Sequence, residues 1–179
     1  MRLLAEIERH PGAKRNGRTI VREAVRAVVL DGSKILMLYS TKHGDYHFPG
    51  GGVDEGESHT EALARELMEE CGAQLTEVIG PFGKTVEYGI PVETDFDVFR
   101  MTSYYYFCEI DGELGEQTLE GYEIDLGLQP KWVEISEALK ANEEVLVEEP
   151  PLWTKRETIV LRLLEERLSS KVGKGHDQV

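Results

Sequence analysis

Three glutamates, Glu66, Glu69 and Glu70, stand at i, i+3 and i+4 in the run "ARELMEECGA". On a helix that spacing puts all three carboxylates on one patch. Exposed like-charged pairs of this kind cost about 0.2–0.5 kcal/mol each, and more where water is partly excluded. Arg65 reaches Glu69 at i+4, but one arginine does not neutralise three acids. A divalent cation does. Hard oxygen ligands in an incomplete protein cage suit Mg²⁺, whose remaining positions go to water and substrate phosphates. Taken alone, the same patch also describes an ordinary solvated helix face.

The residues before the patch fit the first reading. "FPGGGVDEGES" places three glycines ahead of it, Gly50 to Gly52. Bare backbone there can pass close to a ligand. The run is not a P-loop, because the Gly-Lys-Ser/Thr ending is absent. Nor is it a dinucleotide fingerprint, because Pro49 stands where the preceding strand would run.

Together these residues carry a longer pattern. Gly51 is followed after five residues by Glu57, and after seven more by Arg65-Glu66-Leu67-Met68-Glu69-Glu70-Cys71-Gly72-Ala73. This resembles the signature of the Nudix (MutT-like) hydrolases at every fixed polar and glycine position. The one departure is Ala73, where a larger aliphatic is usual. The resemblance implies an α/β fold, the Nudix-type α/β/α sandwich with a mixed β-sheet, and a Mg²⁺ (or Mn²⁺) cofactor. It implies Glu69 and Glu70 as primary metal ligands, with Glu66 and the Gly51 carbonyl contributing. It implies that Glu57 holds the loop or reaches the metal through water, and that Arg65 orients the glutamates.

The implied activity is hydrolysis of the diphosphate bond in a nucleoside diphosphate linked to another moiety, by water attack on phosphorus. In this family the general base is a box glutamate or a later acidic residue. Residues 111–125, "DGELGEQTLEGYEID", carry six acids and no Lys or Arg. Glu123 is preferred there because it lies nearer the next strand, with Glu120 as the alternative. Arg26, Lys42 and Arg100 are candidate phosphate contacts. Tyr104 to Tyr106 alternate faces on a strand, and aromatic core is their plainer reading. A non-catalytic nucleotide sensor on the same fold is the competing function, and the intact glutamate set argues against it. An isomerase on this fold would need a catalytic cysteine, for which Cys71, inside the helix, is badly placed.

These residues need elements to hold them. Ser58 and Glu61 form an S-x-x-E capping box and Gly72 sits at a C′ position, so the spacing predicts a helix over 59–71. Leu63, Ala64, Leu67 and Cys71 share its core face. "TIVREAVRAVVL" (19–30) and "KILMLYS" (34–40) read as strands joined at "DGS" in a hairpin. Further strands are predicted within 74–90, within 95–110 and at "KWVEI", with a helix starting at "SEALKA" and a last helix near 154–168. The chain of 179 residues is 40% hydrophobic, enough for one domain with a real core. We divide it into an N-terminal arm (1–18), a core (about 19–140), a C-terminal helix (about 152–168) and a flexible tail (169–179).

The net charge of −14 argues against binding a nucleic-acid polymer, but not against a small phosphate ester held through a metal. No apolar run approaches membrane length, and Glu6 and Glu8 interrupt any signal-like start. Two cysteines make no disulfide framework. A cytoplasmic protein acting on a small nucleotide or other diphosphate is expected, with a homodimer left open.

Overall fold

Strand β4, Lys34–Ser40, sends Ile35 and Met37 into one core and Leu36 and Leu38 into another. A strand apolar on both faces must be covered on both. In the computed structural model, which describes residues 1–147 and 150–173, helices provide that cover. Strands β1 (Leu3–Glu8), β2 (Thr19–Val28), β6 (Leu75–Gly89) and β7 (Val98–Ile110) form one mixed sheet in the order β1-β6-β7-β2. β6 and β7 are antiparallel, and each edge strand pairs parallel to its neighbour. A second, antiparallel sheet gathers β3 (Leu30–Asp31), β5 (Tyr46–His47) and β8 (Leu128–Glu134) around β4.

Helix α1 (His59–Cys71) packs Ala62, Leu63, Leu67 and Cys71 on one side of these sheets. Helices α3 (Ile135–Val145) and α4 (Thr154–Gly173) cover the other side, through Leu139, Val160, Leu161 and Leu164. The expected α/β/α layering is therefore present. The strands and α1 fall close to where the sequence places them.

Three expectations change. The 19–30 and 34–40 segments form a hairpin only at its tip, where Leu30 and Asp31 face Ile35 and Lys34. The long part, β2, crosses to the other sheet and pairs with β7 from Thr19↔Val98 to Val28↔Phe107. A period-2 pattern reveals faces, not neighbours. The supposed arm contains a sheet strand, β1, whose Ile7 is buried. The last helix runs on to Gly173, so residues 169–173 of the expected tail are helical; its remainder, 174–179, lies outside the described residues. Among the described residues no helix is long and apolar enough to cross a membrane.

Candidate active site

The capping box forms at Ser58. Its hydroxyl accepts the Glu61 N–H, and the Glu61 carboxylate accepts the Ser58 N–H. At the other end Gly72 takes φ 59°, and the Ala73 N–H closes onto the Leu67 carbonyl at 3.1 Å. Both helix ends are thus fixed, which fixes the azimuth of the glutamates. Ala73 is fully buried.

Arg65 is the hub of the first glutamate group. Its Nε donates to Glu57 at 2.9 Å, and its Nη1 to Glu66 at 2.8 Å and to Glu69 at 3.3 Å. Its Nη2 donates to Glu57 and to the Gly52 carbonyl at 2.9 Å. The bonds from Arg65 hold the Glu57 carboxyl below the usual carboxylate range, helped by the Asp54 N–H. Arg65 thereby ties the glycine loop to α1.

The glycines bring backbone against the acids. The Gly50 N–H donates to Glu70 at 2.6 Å, and Gly50 has φ 131°, a left-handed conformation that a side chain would strain. Gly51 packs against the Glu66 carboxylate so closely that a Cβ would overlap it. The Gly51 carbonyl accepts the Val25 N–H at 2.9 Å, leaving one lone pair for any other partner.

The acidic loop delivers a further carboxylate. Its backbone docks on the last turn of α1: Gly115 N–H to the Cys71 carbonyl, Thr118 N–H to the Glu69 carbonyl. The Gln117 amide bridges the carbonyls of Glu70 and Leu128. This places a short helix, α2 (Gly121–Leu126), so that Glu123 turns inward. Carboxylate oxygens of Glu66, Glu70 and Glu123 all lie within 4.8 Å of one another, and all three residues are buried. Burial pushes the Glu70 carboxyl well up, and neighbouring Glu66 adds to the rise. Burial also raises Glu66, against the pull of Arg65.

Such a triad crowds three carboxyls into a partly dry site, and hard oxygen donors at this spacing fit a divalent cation. Glu69 is not part of it; its half-exposed carboxylate faces Arg65. Glu120 is exposed at the α2 cap, where its N–H donates to Glu123.

Beside Glu70 opens a cavity of about 270 Å³. Arg26 lines it, as the sequence suggests for a ligand contact. Lys42 and Arg100 are exposed and do not line it. Tyr105 is buried in the core, while Tyr104 and Tyr106 pack on His59; none of the three lines the cavity. Arg9, Arg156 and Trp153 do, and sequence reasoning missed them. They come from the arm, the last helix and the turn just before it, and nothing in their local pattern marks them.

The match to known families settles the kinship. Residues 21–152 match the NUDIX domain. The chain belongs to this family. Among its relatives, an RNA pyrophosphohydrolase of Sulfurovum sp. (strain NBC37-1) is 34% identical over 82 residues, 44% of this chain and 52% of the relative. An RNA pyrophosphohydrolase of Helicobacter pylori (strain G27) is 39% identical over 66 residues, 36% of this chain and 43% of the relative. The matched stretches thus span about half of each relative's length. The crystal structure of the MutT protein from Bacillus halodurans shares the fold, with a TM-score of 0.51 and 23% identity, over 67% of this chain and 72% of that one.

Proposed function

We propose that this NUDIX protein is a hydrolase that cleaves the diphosphate bond of a nucleoside diphosphate linked to another moiety, in a Mg²⁺- or Mn²⁺-dependent reaction in the cytoplasm. The observation that carries this reading is the convergence of the buried carboxylates of Glu66, Glu70 and Glu123 within 4.8 Å. Glu66 and Glu70 would hold the cation, with Glu69 and the Gly51 carbonyl as further donors at the rim and Glu123 facing them. When bound, the ion supplies charge neutralisation on the diphosphate and acidifies a water. Glu123 is the best-placed carboxylate to accept that water's proton, since it comes from a separate element and one of its oxygens is fixed by the Glu120 N–H. Arg65 keeps Glu57, Glu66 and Glu69 in register. Arg26, on β2 beside the triad, balances charge and meets the substrate.

The intact carboxylate set argues against a purely regulatory binder. The relatives' name adds an RNA 5′ end to the substrates worth testing, although a charge of −14 disfavours long polymer contacts.

The decisive assay offers nucleoside triphosphates, nucleotide sugars and a 5′-triphosphate oligoribonucleotide with Mg²⁺, and detects released monophosphate or pyrophosphate. Turnover that disappears with chelator is expected. No turnover of any diphosphate, or full turnover by exhaustively metal-free protein, would overturn the reading.

A further inference from the structure

The cavity beside Glu70 shares two of its walls. Arg9 and Leu152 also line a second cavity, of about 570 Å³, a volume within the usual range for ligand cavities. Strand pairing shows how the two are arranged. Ile20, Arg22 and Arg26 alternate onto one face of β2. Ile20 pairs with Phe99, and Phe99 with Gly89, and this row lines the second cavity. The next row is Arg22, Met101 and Glu87, and the Arg9 guanidinium bonds both Met101 and Glu87. Arg26 lines the first cavity, two rows further on. From Arg26 to Ile20 the trough therefore follows β2 for about 20 Å.

The far cavity is lined mainly by apolar side chains, Ile20, Ile90, Pro91, Val92, Phe99 and Leu152. Three of them stand open to water: Val92 is 94% exposed, Ile90 64% and Leu152 43%. Apolar side chains gathered in the open around a cavity mark a surface that a ligand covers. Charge offers that ligand little to hold. Arg9 is answered by Glu87, and Arg22 shares the lining with Glu93, so neither an anion nor a cation is favoured.

Resting on the hydrolase reading above, we propose that the second cavity takes the far end of the moiety joined to the nucleoside diphosphate, and that this end is apolar and uncharged, an alkyl chain or ring carried on a linker long enough to reach it. The walls shared through Arg9 and Leu152 make the trough a site for one long substrate rather than for two ligands. Covering Ile90, Val92 and Leu152 favours binding in proportion to the apolar area removed from water. A nucleoside triphosphate, or a nucleotide with a short leaving group, leaves this part of the trough empty.

The test compares β-phosphate esters of ADP and UDP with methanol and with decanol, the decyl esters kept below their micelle-forming concentration. With Mg²⁺, a decyl ester is expected to show kcat/KM at least about tenfold above its methyl counterpart, chiefly through KM. A second readout needs no catalysis: calorimetric titration of metal-free protein should show the decyl ester binding more tightly by a similar factor. The double variant Ile90→Asp, Val92→Asp replaces two exposed side chains, and its thermal melt should match wild type. It is expected to erase the decyl preference and leave the constants for the methyl ester unchanged. Equal affinity for the two esters, or a decyl preference that survives both aspartates, overturns the apolar site. Tighter binding of the decyl ester that the aspartates abolish, with neither ester cleaved, would keep the site and sink the hydrolase reading. Cleavage of both esters with equal affinity and equal kcat/KM would do the reverse.

Discussion

Among the box glutamates, Glu70 is the most sharply placed. Burial and Glu66 raise its carboxyl, so the folded state favours its protonated form. Any stability this gives is present below the ordinary carboxylate pKa of about 4.3 and is lost as pH rises through the raised folded value. At neutral pH without metal, the cost of ionising this side chain, or of taking up a proton to avoid it, therefore opposes folding. Glu70→Gln mimics the protonated form and keeps an oxygen for the Gly50 N–H. Metal-free melts of this variant are expected to be higher than wild type at pH 7 and to converge with it below about pH 4. Turnover with Mg²⁺ should fall by orders of magnitude. A melt that drops at pH 7, or near-normal kcat, would contradict the assignment. Glu123→Gln and Glu120→Gln separate the two loop candidates: kcat should collapse for Glu123, whose carboxylate joins the triad, and hold for Glu120.

Some elements were written plainly in the chain and others were not. Helix α1 was legible because its start, stop and apolar face are local signals at Ser58, Glu61, Gly72 and Leu67. The six residues of α2 were not legible. The loop that leads into them is held by distant bonds, such as Gln117 to Glu70, that no short window of sequence contains. The position of Glu123 depends on that docking, so its preference over Glu120 rested only on its nearness to the next strand. The pairing of β2 with β7 and the addition of β1 to the sheet were hidden for the same reason, since register is a tertiary choice. The link between the 41–47 loop and α4 is likewise invisible locally, and it centres on Asp45. Burial alone would push this carboxyl up, yet bonds from His47, Thr154 and Trp153 hold it below the usual range. Asp45→Asn replaces one acceptor by a donor facing donors. A loss of about 1–3 kcal/mol is expected in urea unfolding. Because His47 and Trp153 wall the cavity, KM should rise more than kcat falls. A fall in kcat with KM unchanged would mean that Asp45 does not act through those rings.

Across the whole molecule, one buried chain of charges joins layers that the sequence keeps far apart. Arg9 follows β1, Glu87 lies on β6, and Arg156 and Glu157 lie on α4. Glu157 also accepts the N–H of Phe48, just before the glycine loop. The N-terminal strand, the sheet, the last helix and the active-site loop are thus coupled through four side chains. Burial would raise the Glu87 carboxyl, but Arg156 and Arg9 outweigh it and hold it below the usual range. A depressed folded pKa gives stability that is present above the ordinary carboxylate value and lost as pH falls through the folded value. Wild-type stability should therefore decline below about pH 4. Glu87→Gln leaves the part-buried Arg9 without its carboxylate and the buried Arg156 with Glu157 alone, and breaking a buried pair in this way costs about 3–5 kcal/mol. The variant should unfold at lower urea at pH 7, and its stability should fall less steeply between pH 5 and pH 3 than that of wild type, because the group that titrates is gone. Urea midpoints across that range check both parts. A variant as stable as wild type at pH 7 would show that the four charges do not bind the layers together, and that the apolar cores on either side of the sheets suffice.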